Sequence, residues 1–287
     1  MTAFEDRIAG APISWGVCEV PGWGWQYDVD TVLTQMRTAG LTATEFGPGG
    51  FLADDPPRMA KVLADHGLRA VGGFVPVVLH DPGYEPALDL DGFIAAGADT
   101  LVLSAATGRD GYDDRPALDE SGWDTLLRNV GRLAVQAAEH GITATLHPHV
   151  GTMVENPDDV RRVLSGSDIG LCLDTGHLLI GRVDPVRLAR EHTGRIRHVH
   201  LKDVDSAWAA EVQAGSIGYA EAVGLRMYRP LGSGDIDIAA IVTTLEDAGY
   251  DGWYVLEQDT VLAGEPSDEE PLGDVNKSIA YLRGLDR

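Results

Sequence analysis

GITATLHPHVGTMVENPDDVRRVLSGSDIGLCLDTGH, residues 141–177, decides the fold. It holds two continuous apolar runs, ITATLH and IGLCLD, with a helical pattern between them. Their separation of about thirty residues is the length of one strand-helix unit. Runs without polar alternation are buried on both faces, as in a parallel sheet covered by helices. Each run closes on a side chain that can ligate a metal, His147 and Asp174.

Reading outward in both directions, the same grammar continues. The runs RIAGAPISW (7–15), ATEFG (43–47), RAVGGFVPVVL (69–79), TLVLSA (100–105), IRHVHLK (196–202) and WYVLEQ (253–258) bring the set to eight. Helical patterns lie between them: VDTVLTQMRTAG, PPRMAKVLADHG, WDTLLRNVGRLAVQAAEHG, VDPVRLAREHTG and IAAIVTTLEDAGYDG, each running into a glycine that stops the helix. Eight such units predict a single closed (β/α)8 TIM barrel, an α/β fold spanning residues 1–287. The longest gap, 206–237, reads as an insertion on the face where the strands end, serving either as a wall of the site or as a helix packed beside the barrel. SDEEPLGDVNKSIAYLRGLDR (267–287) reads as a closing helix.

The chain carries 22 Lys+Arg against 45 Asp+Glu, a net charge of −23, so its surface repels a phosphate backbone and argues against a nucleic-acid partner. No run is long enough to span a membrane and the start lacks an export signal, so the expected location is cytoplasmic, with no membrane partner. Two cysteines cannot form a disulfide framework. Cys172 reads as core, and Cys18 as an incidental loop thiol. A homo-oligomer is compatible with this composition.

In a parallel barrel the C-terminal strand ends share one face, so residues distant in sequence converge there. His147, Asp174, His200 and Glu257 each end a different run, and together they offer mixed N and O ligands for one divalent metal, Mn²⁺, Co²⁺, Fe²⁺ or Zn²⁺. Taken singly, His147 also fits a hydrogen-bonded loop, and Asp174 a helix N-cap or a bond to Thr175. His198 shares a face with His200 but lies a layer deeper, which leaves His200 as the ligand. His149, His177 and Lys202 flank these positions as candidate proton carriers. Trp15, Glu45 and Asp203 are candidate substrate contacts, although Trp15 fits a barrel plug equally well. Gln258 and Asp259 are expected to point elsewhere. Trp23, Trp25 and Tyr27 either shape an entrance or pack on the neighbouring helix. There is no P-loop, G-x-S-x-G elbow or dinucleotide glycine motif.

APISWG, TEFG, HPHVGTMVENPDDV, LCLDTGH, RHVHLKDV and PLGSGDID, in that order, resemble the xylose-isomerase-like barrels of sugar isomerases, epimerases and dehydratases, most of all the inosose dehydratases. The resemblance covers nearly the whole chain. It implies a metal-dependent hydro-lyase that removes water from a cyclic polyhydroxy ketone through an enediolate, with a sugar or cyclitol as its partner molecule. It also implies metal roles for Asp174, His200 and Glu257 and a substrate contact for His177. Related epimerases carry a glutamate where this chain has His147, which puts a two-glutamate epimerase mechanism in doubt. A keto-sugar isomerase or epimerase is the runner-up. A non-catalytic barrel that binds a sugar or a partner protein would be expected to have lost its ligands, and an abasic-site endonuclease would need several metals and a basic groove.

Overall fold

The computed structural model describes residues 3–83, 85–109, 111–112, 114–265 and 270–285. Its strands are β1 (Ile8–Gly10), β2 (Ala43–Thr44), β3 (Arg69–Ala70), β4 (Gly72–Val77), β5 (Thr100–Ala105), β6 (Thr143–Leu146), β7 (Gly170–Asp174), β8 (Ile196–Leu201), β9 (Asp203–Val204), β10 (Tyr228–Arg229) and β11 (Tyr254–Leu256). Nine of them form one sheet in the order β3-β2-β1-β11-β8-β7-β6-β5-β4, with every pairing parallel.

β3 and β4 are two halves of one barrel strand, interrupted only at Val71. The Val71 N–H donates to the Thr44 carbonyl (2.9 Å) and its carbonyl accepts from Thr100 N–H (3.2 Å), so a single residue joins the two ends of the sheet. The eight runs of the sequence thus become the eight staves of a TIM barrel. Inside, Ala9, Ala11, Ala43, Val71 and Val255 form a separate buried cluster, a small-residue plug within the ring.

The structure departs from the sequence pattern at two points. RIAGAPISW is strand only over Ile8–Gly10, and Pro12–Trp15 turn into a 3-10 helix. Proline has no N–H to give a parallel ladder, so regular pairing ends before it. Of the five helix-ending glycines, Gly194 is not a left-handed stop, because Thr193–Arg195 continue as a 3-10 turn into β8.

The insertion folds as helices Ser206–Gln213 and Tyr219–Gly224, followed by β10, which pairs antiparallel with β9. A loop then wraps around the buried Asp203 carboxylate, which accepts N–H bonds from Gly232 (2.8 Å), Gly234 (2.9 Å) and Ile236 (3.1 Å). A Cβ at Gly234 would lie 2.4 Å from that carboxylate, which accounts for glycine in PLGSGDID. The closing helix is Leu272–Arg283; residues 266–269, ahead of it, and 286–287 lie outside the described residues. No helix among the described residues is long and apolar enough to cross a membrane.

Barrel closure also dictates Gly72. A Cβ there would sit 1.8 Å from the Thr100 carbonyl oxygen, backbone against which no rotamer can yield. Gly72→Ala should lose about 2 kcal/mol or more in denaturant unfolding. Gly131→Ala, mid-helix with nothing within 4 Å, should be neutral or stabilising by up to about 1 kcal/mol. Equal effects of the two substitutions would contradict this account of the closure.

Candidate active site

β7 ends on Asp174, which is fully buried and also caps the helix Thr175–Ile180. Its two oxygens have separate partners. Oδ1 accepts the His177 backbone N–H at 2.7 Å, while Oδ2 lies 3.2 Å from His147 Nε2, 3.6 Å from His200 Nδ1 and 3.7 Å from Lys202 Nζ. The cap therefore does not compete with a ligand role; it aims the second oxygen.

Parallel register places Asp174 level with His200, and Cys172 level with His198 one step below. His200 Nδ1 lies 2.7 Å from Glu257 Oε2. One donor atom from each of His147, Asp174, His200 and Glu257 lies within 4.8 Å of one from every other, and the first three are buried. The fit to a cation shows in an orphaned atom: His200 Nδ1, facing Glu257 and Asp174, is buried and makes no hydrogen bond. Two imidazoles and two carboxylates around one point suit a divalent metal. Burial opposes a charge on His200, but Glu257, Glu45 and Asp174 outweigh it and hold the metal-free ring well above the ordinary histidine range.

The proton-carrier candidates surround this cluster. Lys202 is buried, with Nζ 3.2 Å from Glu257 Oε2, 3.3 Å from His177 Nε2 and in a short contact with Asp259 Oδ1. Burial alone would neutralise it, but Asp259, Glu257 and Asp174 keep the ammonium well above the usual lysine range. Burial, His149 and Lys202 drive His177 well below its ordinary value. His149 stacks on His177 with ring centres 3.6 Å apart. Burial, followed by His147 and Lys202, pushes His149 down to about 3. Its Nδ1 donates to the Val150 carbonyl at 2.7 Å, leaving the Nε2 lone pair bare. Burial thus holds both imidazoles neutral in the metal-free protein.

The remaining candidates separate. Glu45 lines the cavity, but its Oε1 is engaged by His198 and His200. Trp15 is fully buried, donates its indole N–H to Gln35 and does not line the cavity, so it is core rather than a substrate contact. Asp203 is likewise no substrate contact, because its carboxylate is consumed by the loop around it. Trp23 lines the mouth. Cys18 also lines it, with burial pushing its thiol up to about 12, so it is a poor nucleophile there; Cys172 is fully buried.

Sequence reasoning missed Asp259, Tyr219 and Tyr112. Asp259, expected to point away, is buried and joins Lys202 to the Tyr219 hydroxyl (2.7 Å). The signal was present: two residues beyond Glu257 on an extended chain, Asp259 shares its side. Tyr219 comes from the insertion, which thereby forms a wall of the site, and its ring lies 5.3 Å from that of Tyr112.

An unfolded histidine takes a proton near pH 6.5, whereas folded His149 resists one down to about 3. Between these values the unfolded state binds the extra proton, so stability falls on acidification, by up to about 1.4 kcal/mol per pH unit from this residue. Denaturant unfolding of metal-free protein at pH 7, 6 and 5 should show the decline, and His149→Gln should flatten it. An unchanged slope in the variant would count against the buried neutral imidazole.

Comparison with known proteins agrees with this architecture. The family model described as xylose isomerase-like TIM barrel matches residues 33–285. The chain is 32% identical to an inosose dehydratase of Geobacillus kaustophilus over 90% of this chain and 89% of that one. It is 28% identical to an inosose dehydratase of Geobacillus thermodenitrificans over 96% of each. Among solved structures, the IOLI protein with a bound zinc atom shares 12% identity and a TM-score of 0.67, over 96% of this chain and 97% of that one. With eight staves closed through Val71, side chains able to ligate a metal at four strand ends and a family match over most of its length, the chain belongs to the xylose isomerase-like TIM barrel family.

Proposed function

We propose that the protein is a metal-dependent hydro-lyase that removes water from a cyclic polyhydroxy ketone, 2-keto-myo-inositol or a close analogue. The observation that carries this reading is the pairing, in one cavity, of a buried ammonium with a bare imidazole nitrogen. Elimination needs a donor for the departing hydroxyl as well as an acceptor for the carbon-bound proton, and Lys202 and His149 supply them. The near-full-length likeness to inosose dehydratases supports the same chemistry.

The cavity, of about 180 Å³, suits a single small ring. Among the described residues that line it, Lys202 is the sole lysine or arginine, against Glu19, Glu45, Glu257 and Asp259. Such a lining takes an uncharged polyol and repels a sugar phosphate. Phe74 and Trp23 offer apolar surface to the ring, and the carboxylates accept its hydroxyls.

His147, Asp174, His200 and Glu257 would hold a first-row divalent ion, Mn²⁺, Co²⁺, Fe²⁺ or Zn²⁺. When bound, the ion supplies electrophilic polarisation of the ketone and hydroxyl oxygens and draws the charge of Asp174 and Glu257 away from Lys202. His149 Nε2 takes the proton from the carbon beside the ketone as the carbon-carbon double bond forms. The neighbouring carbon-oxygen bond breaks, and Lys202 delivers a proton to that oxygen, releasing water. His177, stacked on His149 and bonded to Lys202, orients both, and the proton taken by His149 passes to solvent as the product leaves.

Lys202→Met and His149→Gln should keep the metal, measured by elemental analysis after dialysis, yet lower kcat by roughly 100- to 10,000-fold. Asp174→Ala should lose the metal, and full occupancy in that variant would contradict the ligand set. Wild-type protein supplied with metal and inososes should yield a product lighter by one water in mass spectrometry. Products of unchanged mass across inososes and ketoses would replace the lyase with an isomerase or epimerase.

A further inference from the structure

Glu45 closes β2 and reaches across the mouth of the barrel beneath the ligand cluster. Its backbone is pinned by a hydrogen bond from its N–H to the Gly10 carbonyl (2.9 Å), and its side chain is almost fully buried. One carboxylate oxygen, Oε1, receives two imidazoles: His198 Nε2 at 2.8 Å and His200 Nε2 at 3.1 Å. A carboxylate oxygen can accept two hydrogen bonds but donates none, so both rings must carry a proton on Nε2. This is a constraint on chemistry at the other end of each ring.

For His200 that other end is Nδ1, the atom facing the cluster. It makes no hydrogen bond despite full burial and lies 2.7 Å from Glu257 Oε2. The gap between these two acceptors can take a proton in the metal-free protein or a cation in its place, and Glu45 keeps the Nε2 proton fixed in either state. His198 has the complementary task. It is fully buried and one layer below the ligands, and its Nδ1 also makes no hydrogen bond, so the bond to Glu45 is the polar contact its ring makes. Through that second bond the carboxylate is held from below as well as from the side.

We infer that Glu45, expected from the sequence to contact substrate, is a positioning residue of the metal centre: it orients His200 and fixes Nδ1 as the ligating atom, with His198 locking the carboxylate in place. The inference rests on the reading of His147, Asp174, His200 and Glu257 as ligands. It deepens that reading by naming what sets one ligand's tautomer, since the partner of a ligating imidazole's other nitrogen governs both ring orientation and basicity.

The test is metal affinity, read without turnover. Zn²⁺ and Co²⁺ should be titrated in competition with a chromogenic chelator into wild type, Glu45→Gln, His198→Gln and Asp174→Ala. Glu45→Gln removes no ligand yet should bind roughly 10- to 100-fold more weakly, and His198→Gln should show a smaller loss of several-fold. In the Co²⁺-loaded wild type, proton NMR in H2O should show a shifted, exchangeable imidazole N–H for His200 that Glu45→Gln loses and that D2O removes. Wild-type affinity in Glu45→Gln, or an unchanged set of exchangeable signals, overturns the inference. If Glu45→Gln does not fold, unchanged affinity in His198→Gln overturns it instead. Asp174→Ala separates the two levels: retained affinity there means that the metal reading has failed, whereas loss there with no loss in Glu45→Gln means that only the role of Glu45 has failed.

Discussion

An ionised carboxylate with no exposure to water must find its whole solvation within the protein, and Asp174 is that group here. Burial favours its neutral form, yet the Lys202 charge and the hydrogen bonds from His147 and from the His177 backbone N–H hold it ionised, well below the usual aspartate range. Much of the site's geometry follows from this requirement. The helix Thr175–Ile180 must begin where it does because its N-terminus supplies one of those hydrogen bonds. Lys202 must lie where it does because it supplies the charge.

The same requirement spreads outward through Lys202. A buried ammonium needs more negative charge than one shared carboxylate provides, and Glu257 and Asp259 on the neighbouring strand end complete its surroundings. Asp259 in turn fixes the hydroxyl of Tyr219, which bonds Tyr228 at 2.9 Å. Thus the insertion after β8 is registered to the barrel through a chain of polar contacts that begins at β7. Breaking one member of such a buried network leaves the others uncompensated.

The barrel was legible in the sequence because each stave is a continuous apolar run, and burial on both faces leaves that signature whatever the neighbours are. The convergence of His147, Asp174, His200 and Glu257 was legible for a related reason: a strand end fixes position along the barrel axis, so four strand ends imply a shared level. What could not be read depends on tertiary partners. Trp15 follows Pro12 into a turn and is captured by Gln35 on the next helix, a contact with no local signature. Asp203 and Glu45 look alike in sequence, each an acid at a strand end, but one is enclosed by backbone N–H groups from residues about thirty positions on and the other by two imidazoles. Tyr219 opens the six-residue helix Tyr219–Gly224, whose buried face, Tyr219, Ala222 and Val223, has apolar spacing that does not tell a core contact from a cavity wall.

The enclosure of Asp203 has a consequence for how such a protein can diversify. The antiparallel bridge between β9 and β10, together with the three N–H bonds to Asp203, fastens the returning end of the insertion beside the point where it leaves the barrel. The excursion between those points is therefore a module with both ends held at one place. Its length and sequence can drift without displacing β8 or the helix Ile238–Asp247. Because that excursion carries Tyr219, an evolving lineage can remodel one wall of the cavity, and with it the choice of substrate, while His147, Asp174, His200 and Glu257 stay where the barrel puts them.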